Sequence, residues 1–376
     1  MSILAYSCFI LFKGLNMHLK KLKLENFRNY KKQELELING INLFLGPNAH
    51  GKTNIIEAIY ICAFGKSYRA SKDAELINYE YDCEYCTITL DYIKNDTSHT
   101  TNFYIDNMNR KQIKNDDIKV KKIADYVGEI PIVIFSPESL DIVKGAPSKR
   151  RNFIDMICCQ LSKSYIICHH EYMKCFKMKN TLLKQEVIDD GYIEILHEKM
   201  SGYIKKIVET RAKIIEKIAE YAKPIQKKLT NGEEEIILNY QSDFIGMNEE
   251  EIKKYLDDHL YIDKLRKSCI KGIQRDDIEI LIDEKEVGIY GSQGQKRTAL
   301  LTLKLANFEL LKNFKGENPI LLLDDIMSEL DGNRINFLLE YIENYQSIIT
   351  TTEDTFVRGI KNIKFFDVER GKIKVE

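Results

Sequence analysis

Residues 41–64 read INLFLGPNAHGKTNIIEAIYICAF. Five largely apolar residues, Ile41–Leu45, run into a loop bounded by glycines, and an amphipathic helix follows from about Lys52 to Phe64. Strand, loop, helix is the setting a phosphate-binding loop requires, and Gly46–Thr53 satisfies GxxxxGK[ST] in full. In such a loop Gly46, Pro47, Asn48, Ala49, His50 and Gly51 wrap the phosphates. Lys52 brings charge to the β- and γ-phosphates, and Thr53 offers a hydroxyl to Mg²⁺. The stretch therefore predicts an ATP site with Mg²⁺.

Two motifs far down the chain fit beside it. PILLLDD, Pro319–Asp325, is a continuous apolar run ending in two acids, as a buried parallel strand does. Asp324 occupies the place of the Mg²⁺-associated aspartate. Asp325 takes the place where ABC ATPases usually carry a glutamate that polarises the attacking water. A base must reach its proton within about 3 Å, and aspartate is one methylene shorter, so slow hydrolysis is expected. GSQGQKR, Gly291–Arg297, looks like an ABC signature. Ser292, Gly294 and Gln295 at a helix start form an anion site, although a helix-capping serine is the ordinary reading of such a stretch. SELD (328–331) falls at the D-loop position and TTT (350–352) at the switch position.

A lone half could not bury its sheet, so both chain ends must build one head. Residues 84–134 alternate short β-rich runs (CTITLDYI, TNFYI, IPIVIF) with turns, which predicts an attached antiparallel sheet. ELELI (34–38) and IEILI (278–282) read as further strands. From Arg151 to Leu229 the chain is helix-rich. Ile193, Leu196, Met200, Tyr203 and Ile207 step by three and four, and Ile214, Ile218 and Tyr221 resume the pattern. Asp189-Asp190-Gly191 reads as the turn between two long helices. A helical arm and an ordinary helical subdomain both fit. The expected organisation is an α/β P-loop head built from both chain ends, with an antiparallel β subdomain and an inserted helical arm. Its divisions are 1–16 as an extension, 17–148 and 271–376 as the head, and 149–270 as the mainly helical arm.

The formal net charge over 376 residues is −1, so any nucleic-acid contact must be a local patch. Nine cysteines, an odd number in a long chain, disfavour a disulfide framework and fit a reducing cytoplasm. Cys83 and Cys86 form a CxxC with no second pair to complete a zinc site. Residues 3–12 are apolar but fall short of the ~20 residues of a membrane span, so no membrane partner is expected.

FRNY (27–30), GKTNIIEAIY (51–60), KSYR (66–69), FSPESLDIVKGAPSKRRNFID (135–155), RDD (275–277) and SQGQKRTALLTLKLA (292–306) together resemble the RecF family of ABC/SMC-type ATPases. The resemblance runs from Met17 essentially to the C-terminus. Ile273-Gln274 and Asn152 depart from the family pattern, and no Q-loop glutamine is identified. The resemblance implies an SMC-like head and a homodimer that forms with ATP, each signature completing the partner's site. It also implies DNA as partner, gapped or junctional, single- and double-stranded, and cooperation with RecR and RecO type mediators in replication, gap repair and SOS induction. Lys66, Arg69, Lys72, Lys149, Arg150 and Arg151 are the candidate DNA contacts, although Arg150 or Arg151 could instead hold acids of the fold. A transporter subunit would have a shorter insert. A nuclease-associated SMC protein would have a longer coiled coil than ~80 helical residues make. Intact Lys52, Thr53, Asp324 and Ser292 argue against a vestigial scaffold.

Overall fold

A computed structural model describes residues 17–78, 81–357 and 360–375. The expected extension, 1–16, lies outside the described residues. In chain order the elements are β1 (His18–Phe27), β2 (Tyr30–Glu36), β3 (Ile41–Leu45), α1 (Lys52–Phe64), β4 (Tyr85–Lys94), β5 (Thr97–Asp106), β6 (Lys111–Asn115), β7 (Ile118–Lys119) and β8 (Ile132–Phe135). Then come α2 (Asp141–Lys144), α3 (Pro147–Leu161), α4 (Lys163–Leu182), α5 (Asp190–Leu229), β9 (Ile236–Gln241), α6 (Glu249–Asp258) and α7 (Leu260–Arg266). The chain closes with β10 (Asp277–Ile282), β11 (Lys285–Glu286), α8 (Val287–Tyr290), α9 (Gln293–Lys315), β12 (Ile320–Asp324), α10 (Gly332–Ile342), β13 (Ser347–Thr351), β14 (Ile363–Glu369) and β15 (Lys372–Val375).

The central sheet has the order β15-β14-β3-β13-β12-β8. All its pairs are parallel except the terminal β14–β15 hairpin. It joins the two chain ends, because β3 lies between β13 and β14. Side-chain alternation divides its burial between two cores. Leu43, Leu321, Leu323 and Ile349 pack toward the helical side. Phe44, Leu322, Ile348 and Phe366 pack toward α1 and the antiparallel sheet. Phe44 and Phe366 stack at 4.5 Å on that second face.

The antiparallel subdomain has the order β2-β1-β4-β5-β6-β7. The run IPIVIF does not belong to it. Its β8 pairs in parallel with β12, Phe135 opposite Leu323. The physical reason is visible in the residues, since all four of β8 are buried and an apolar run without alternation suits a two-sided parallel strand. IEILI likewise leaves the head sheet. As β10 it forms a separate antiparallel sheet, β11-β10-β9, so strand pairing crosses the expected division at residue 270. The strand expected at 34–38 is β2, shifted toward the FRNY turn.

The helical stretch forms α3, α4 and the forty-residue α5. Ile193, Leu196, Met200, Ile207, Ile214 and Ile218 are all buried. The helix packs on α4, α6, β9 and α9, so its seam also joins it to the head. The connection between the two long helices is where Asp189-Asp190-Gly191 placed it, but shifted: Asp189 is its last residue, and Asp190 and Gly191 already belong to α5. The Asp189 side chain caps α5 by accepting from the Tyr192 N–H, and the turn itself lies earlier, over 183–187.

The motifs SKRRNFID and RDD meet in this layer. Arg150 is buried, and its guanidinium grips both Asp277 oxygens at 2.6 and 2.7 Å. Arg211, only 1% exposed, holds Asp155 and donates to Asp276 at 2.6 Å. Tyr240 also donates to Asp276 at 2.5 Å. Buried charges persist only when paired and hydrogen-bonded in this way.

Candidate nucleotide-binding site

The loop between β3 and α1 needs its glycines for two separate reasons. Gly46 has φ 156°, and a Cβ there would lie 2.2 Å from the Val368 carbonyl oxygen of β14. Gly51 has φ 110°, and a Cβ would meet the Asn29 side chain at 2.6 Å. The loop is braced from outside. Asn29 Nδ2 donates to the His50 carbonyl at 3.0 Å, and the Tyr30 hydroxyl donates to that of Gly51 at 3.0 Å. The Gly371 N–H, from the β14–β15 turn, also reaches the His50 carbonyl. FRNY is thus the outer wall of the loop.

Lys52 Nζ lies 2.5 Å from the Gly46 carbonyl and 2.8 Å from that of Pro47. Burial lowers its pKa, and the charges of Asp325 and Asp324 oppose that shift. An ammonium folded back onto loop carbonyls is placed to exchange those contacts for phosphate oxygens.

Asp324, at the end of β12, accepts from Thr53 Oγ1 and Thr350 Oγ1, both at 2.8 Å, and from the Tyr68 hydroxyl at 3.2 Å. The parallel register that sets Asp324 opposite Thr350 makes the second contact. Asp325 follows in the left-handed region, φ 51°, which Asp tolerates better than most residues. Its N–H bonds to Thr350 at the carbonyl and hydroxyl oxygens. One carboxylate oxygen of Asp325 is buried without a hydrogen-bond partner among the described residues. Burial raises its pKa, Lys52 pulls it down, and Asp324 and Glu329 push it up. The residues fit a divalent cation at a phosphate: an acid, a neighbouring hydroxyl and an unsatisfied carboxylate oxygen.

Ser292 caps α9. Its hydroxyl accepts from the Gln295 N–H at 3.1 Å, while Gln295 Oε1 accepts from the Ser292 N–H at 2.8 Å. This reciprocal capping box fixes the signature loop. Ser292 is exposed, and among the described residues no hydrogen bond or ion pair joins the signature to the P-loop.

A family model described as RecF/RecN/SMC N terminal domain matches residues 18–374. The DNA replication and repair protein RecF of Clostridium perfringens (strain SM101 / Type A) is 39% identical over 362 residues, covering 95% of this chain and 100% of that protein. The chain belongs to the RecF family. It is therefore one of a family of DNA replication and repair proteins, and RecF of Clostridium beijerinckii is 38% identical over 362 residues. The solved structure of the recombination mediator protein RecF-ATP in the RecFOR pathway is 34% identical, with a TM-score of 0.88, covering 96% of this chain and 98% of that one. An Smc head domain from Pyrococcus furiosus, 20% identical with a TM-score of 0.57 and 96% of each chain covered, shares the fold.

Within this RecF-family head, KSYR does more than carry charge. Ser67 Oγ donates to Glu57 at 2.5 Å, and Arg28 of FRNY grips the same fully buried carboxylate at 2.7 and 2.9 Å. Arg69 approaches Glu57 at 3.8 Å and donates to Asn54 at 3.3 Å. Tyr68, missed in the sequence, reaches Asp324. The aromatic between two basic residues was the available signal. Lys66 and Lys72 are exposed. Lys149 is exposed and 3.3 Å from Asp141. Arg151 donates to the Asp276 carbonyl at 2.8 Å. Arg150 is 8% exposed and gives its guanidinium to both Asp277 oxygens and to the Gly145 carbonyl, so it is engaged in holding an acid of the fold. Among the described residues no helix is long and apolar enough to cross a membrane, and no cluster of three or more His, Cys, Asp or Glu is arranged to hold a metal.

Proposed function

We propose that this protein is an ATP-dependent DNA-binding switch of gap repair, in which ATP sits between the P-loop of one protomer and the signature of a second. One observation carries the reading. The phosphate loop, Lys52, Thr53 and Asp324 are assembled within a single chain, while Ser292 is exposed, Gly294 and Gln295 are half-buried, and among the described residues no hydrogen bond or ion pair joins these three to the loop. The RecF-ATP relative supports ATP as the nucleotide.

Pro47, Asn48, Ala49 and His50, between Gly46 and Gly51, enclose the phosphates, and Lys52 neutralises them. Thr53 and Asp324 are the residues that would hold Mg²⁺, which would supply positive charge to the phosphates. Asp325 orients the attacking water and accepts its proton. Its short side chain keeps turnover slow, so ATP holds the dimer long enough to act as a timer. DNA contacts come from Lys66, Lys72 and Lys149, with Arg69 and Arg151 contributing from semi-engaged positions. Phosphate recognition needs only such a basic cluster. The family relationship supports gapped or junctional DNA and RecR and RecO type mediators as partners, with help in loading recombinase at the junction.

Sizing the protein with and without ATP and DNA tests the reading. A dimer that appears with ATP and persists on DNA agrees with it. A protein of constant size in all four conditions contradicts it.

A further inference from the structure

Beyond the residues that touch nucleotide, the arrangement of α10 against α9 has a specific consequence. The SELD segment leaves Asp325 and ends at Asp331, which caps α10 by accepting from the Arg334 N–H at 3.0 Å. The Ser328 hydroxyl donates to the Asp325 carbonyl at 2.8 Å, tying the start of the segment to the proposed base. Arg334, in the first turn of α10, then reaches across to α9. Its Nη2 donates to the Gly294 carbonyl at 3.1 Å and to Thr298 Oγ1 at 2.6 Å, and its Nε donates to Thr298 Oγ1 at 2.9 Å. Its Nη1 is paired with Asp331. Thr298 is 1% exposed, so the tie is anchored in the core of the head. Arg297 of α9 and Glu329 make a second contact at 2.9 Å, but a half-exposed pair of that kind holds weakly.

Hydrogen bonds and short stretches of backbone together link the two motifs: Ser328 bonds to Asp325, three residues of chain lead on to Asp331, Asp331 and Gly294 are both held by Arg334, and Ser292 lies two residues before Gly294 in the capping box of α9. The two ends of this link have different duties. Asp325 serves the ATP on its own P-loop, whereas Ser292 and Gly294 serve the ATP of the partner. We infer that Arg334 is a positioning residue that sets the signature for the partner's ATP and links the two ATP sites of the dimer. The inference rests on the shared-site reading above. A guanidinium suits the task, since its planar fork holds a carbonyl, a hydroxyl and a carboxylate at fixed angles. Lysine could satisfy one of them at a time.

The test compares wild type with Arg334→Ala, Arg334→Lys, Thr298→Val and the Arg334→Ala/Thr298→Val double variant. Two quantities are read: ATP affinity at protein concentrations too low for dimers, and the protein concentration at which saturating ATP produces half-maximal dimer. Thermal midpoints are recorded alongside. Arg334→Ala is expected to bind ATP on the monomer as wild type does. It should need on the order of tenfold more protein to dimerise, the scale of losing charged hydrogen bonds. Thr298→Val should give a smaller change that vanishes in the Arg334→Ala background, and Arg334→Lys should restore dimerisation only in part. An unchanged dimerisation midpoint in Arg334→Ala overturns the inference. So does an additive double variant, or a joint fall of monomer ATP affinity, thermal midpoint and dimerisation, which marks a merely structural residue. If wild type forms no dimer with ATP, the shared-site reading has failed instead, and the sizing experiment detects that independently.

Discussion

The Thr53 hydroxyl and Asp324 Oδ1 are 2.8 Å apart although 271 positions separate them in the chain. That contact is what the two chain ends come together to make. β3 delivers the P-loop, β13 lies beside it, and β12 carries Asp324 one strand further on. Lys52 stands at the same edge, so its removal should act on nucleotide and not on the fold. Lys52→Ala should weaken ATP binding by on the order of a hundredfold, as expected for losing a charged phosphate contact, with an unchanged thermal midpoint. Titration with a fluorescent ATP analogue measures it, and wild-type affinity would remove Lys52 from the site.

Asp325 has a raised pKa because of burial, and the sign has two consequences. As a base it works only when ionised, so turnover should fall on acidification at a higher pH than an ordinary carboxylate would dictate. For stability, a group that binds its proton more tightly when folded favours the fold at low pH and loses that contribution as pH rises through the folded pKa. Asp325→Asn should therefore bind ATP, hydrolyse it on the order of a hundredfold more slowly, and unfold no earlier than wild type at neutral pH. Wild-type turnover in this variant would exclude the base role.

Arg150 and the exposed lysines should separate stability from DNA binding. Arg150→Ala leaves Asp277 without its guanidinium and should destabilise the fold by about 3 kcal/mol, with the salt dependence of DNA binding unchanged in the folded fraction. Lys66→Ala/Lys72→Ala should leave stability alone and reduce the log–log salt slope by roughly 2 if each lysine meets one phosphate. The slope is measured by titrating DNA at several salt concentrations. A wild-type slope in the lysine double variant would move the DNA surface elsewhere.

Lys304 lies on α9, buried, with its amine 5.4 Å from the Phe153 ring centroid. Burial lowers its pKa from 10.5 to about 7. The unfolded chain then binds more protons than the folded one between those values, so this lysine makes stability rise with pH across that window. Lys304→Met removes the cost of burying an amine and should stabilise the protein by roughly 3 kcal/mol at pH 8, while flattening the pH dependence. Denaturant melts from pH 7 to 10 check both. A destabilised variant with an unchanged pH slope would contradict the assignment.

The head was legible because its motifs are local: GPNAHGKT, PILLLDD and GSQGQKR each carry their secondary structure with them. What escaped was pairing. IPIVIF and IEILI both read as strands, but which sheet a short strand joins depends on partners far along the chain. Only the lack of alternation in β8 hinted at the parallel sheet. Arg150 and Arg151 looked alike in sequence and differ in fate because β10 brings Asp277 to the first, while the residue just before that strand, Asp276, offers only its backbone carbonyl to the second. Tyr68 could not be placed from the sequence, because its acceptor, Asp324, lies 256 positions away.

If two chains share each ATP site, two inactive variants should complement each other when mixed. Lys52→Ala removes the P-loop lysine from both sites of a homodimer, and Ser292→Arg blocks both signatures. In a mixed dimer of two-fold symmetry one site carries both defects and the other carries none. With random pairing about half the dimers are mixed, so roughly a quarter of all sites should be restored. ATPase activity and ATP-dependent dimer formation, read in the same samples, should both exceed those of either variant alone. A mixture that neither dimerises nor hydrolyses better than its components, while wild type does both, would contradict the shared site.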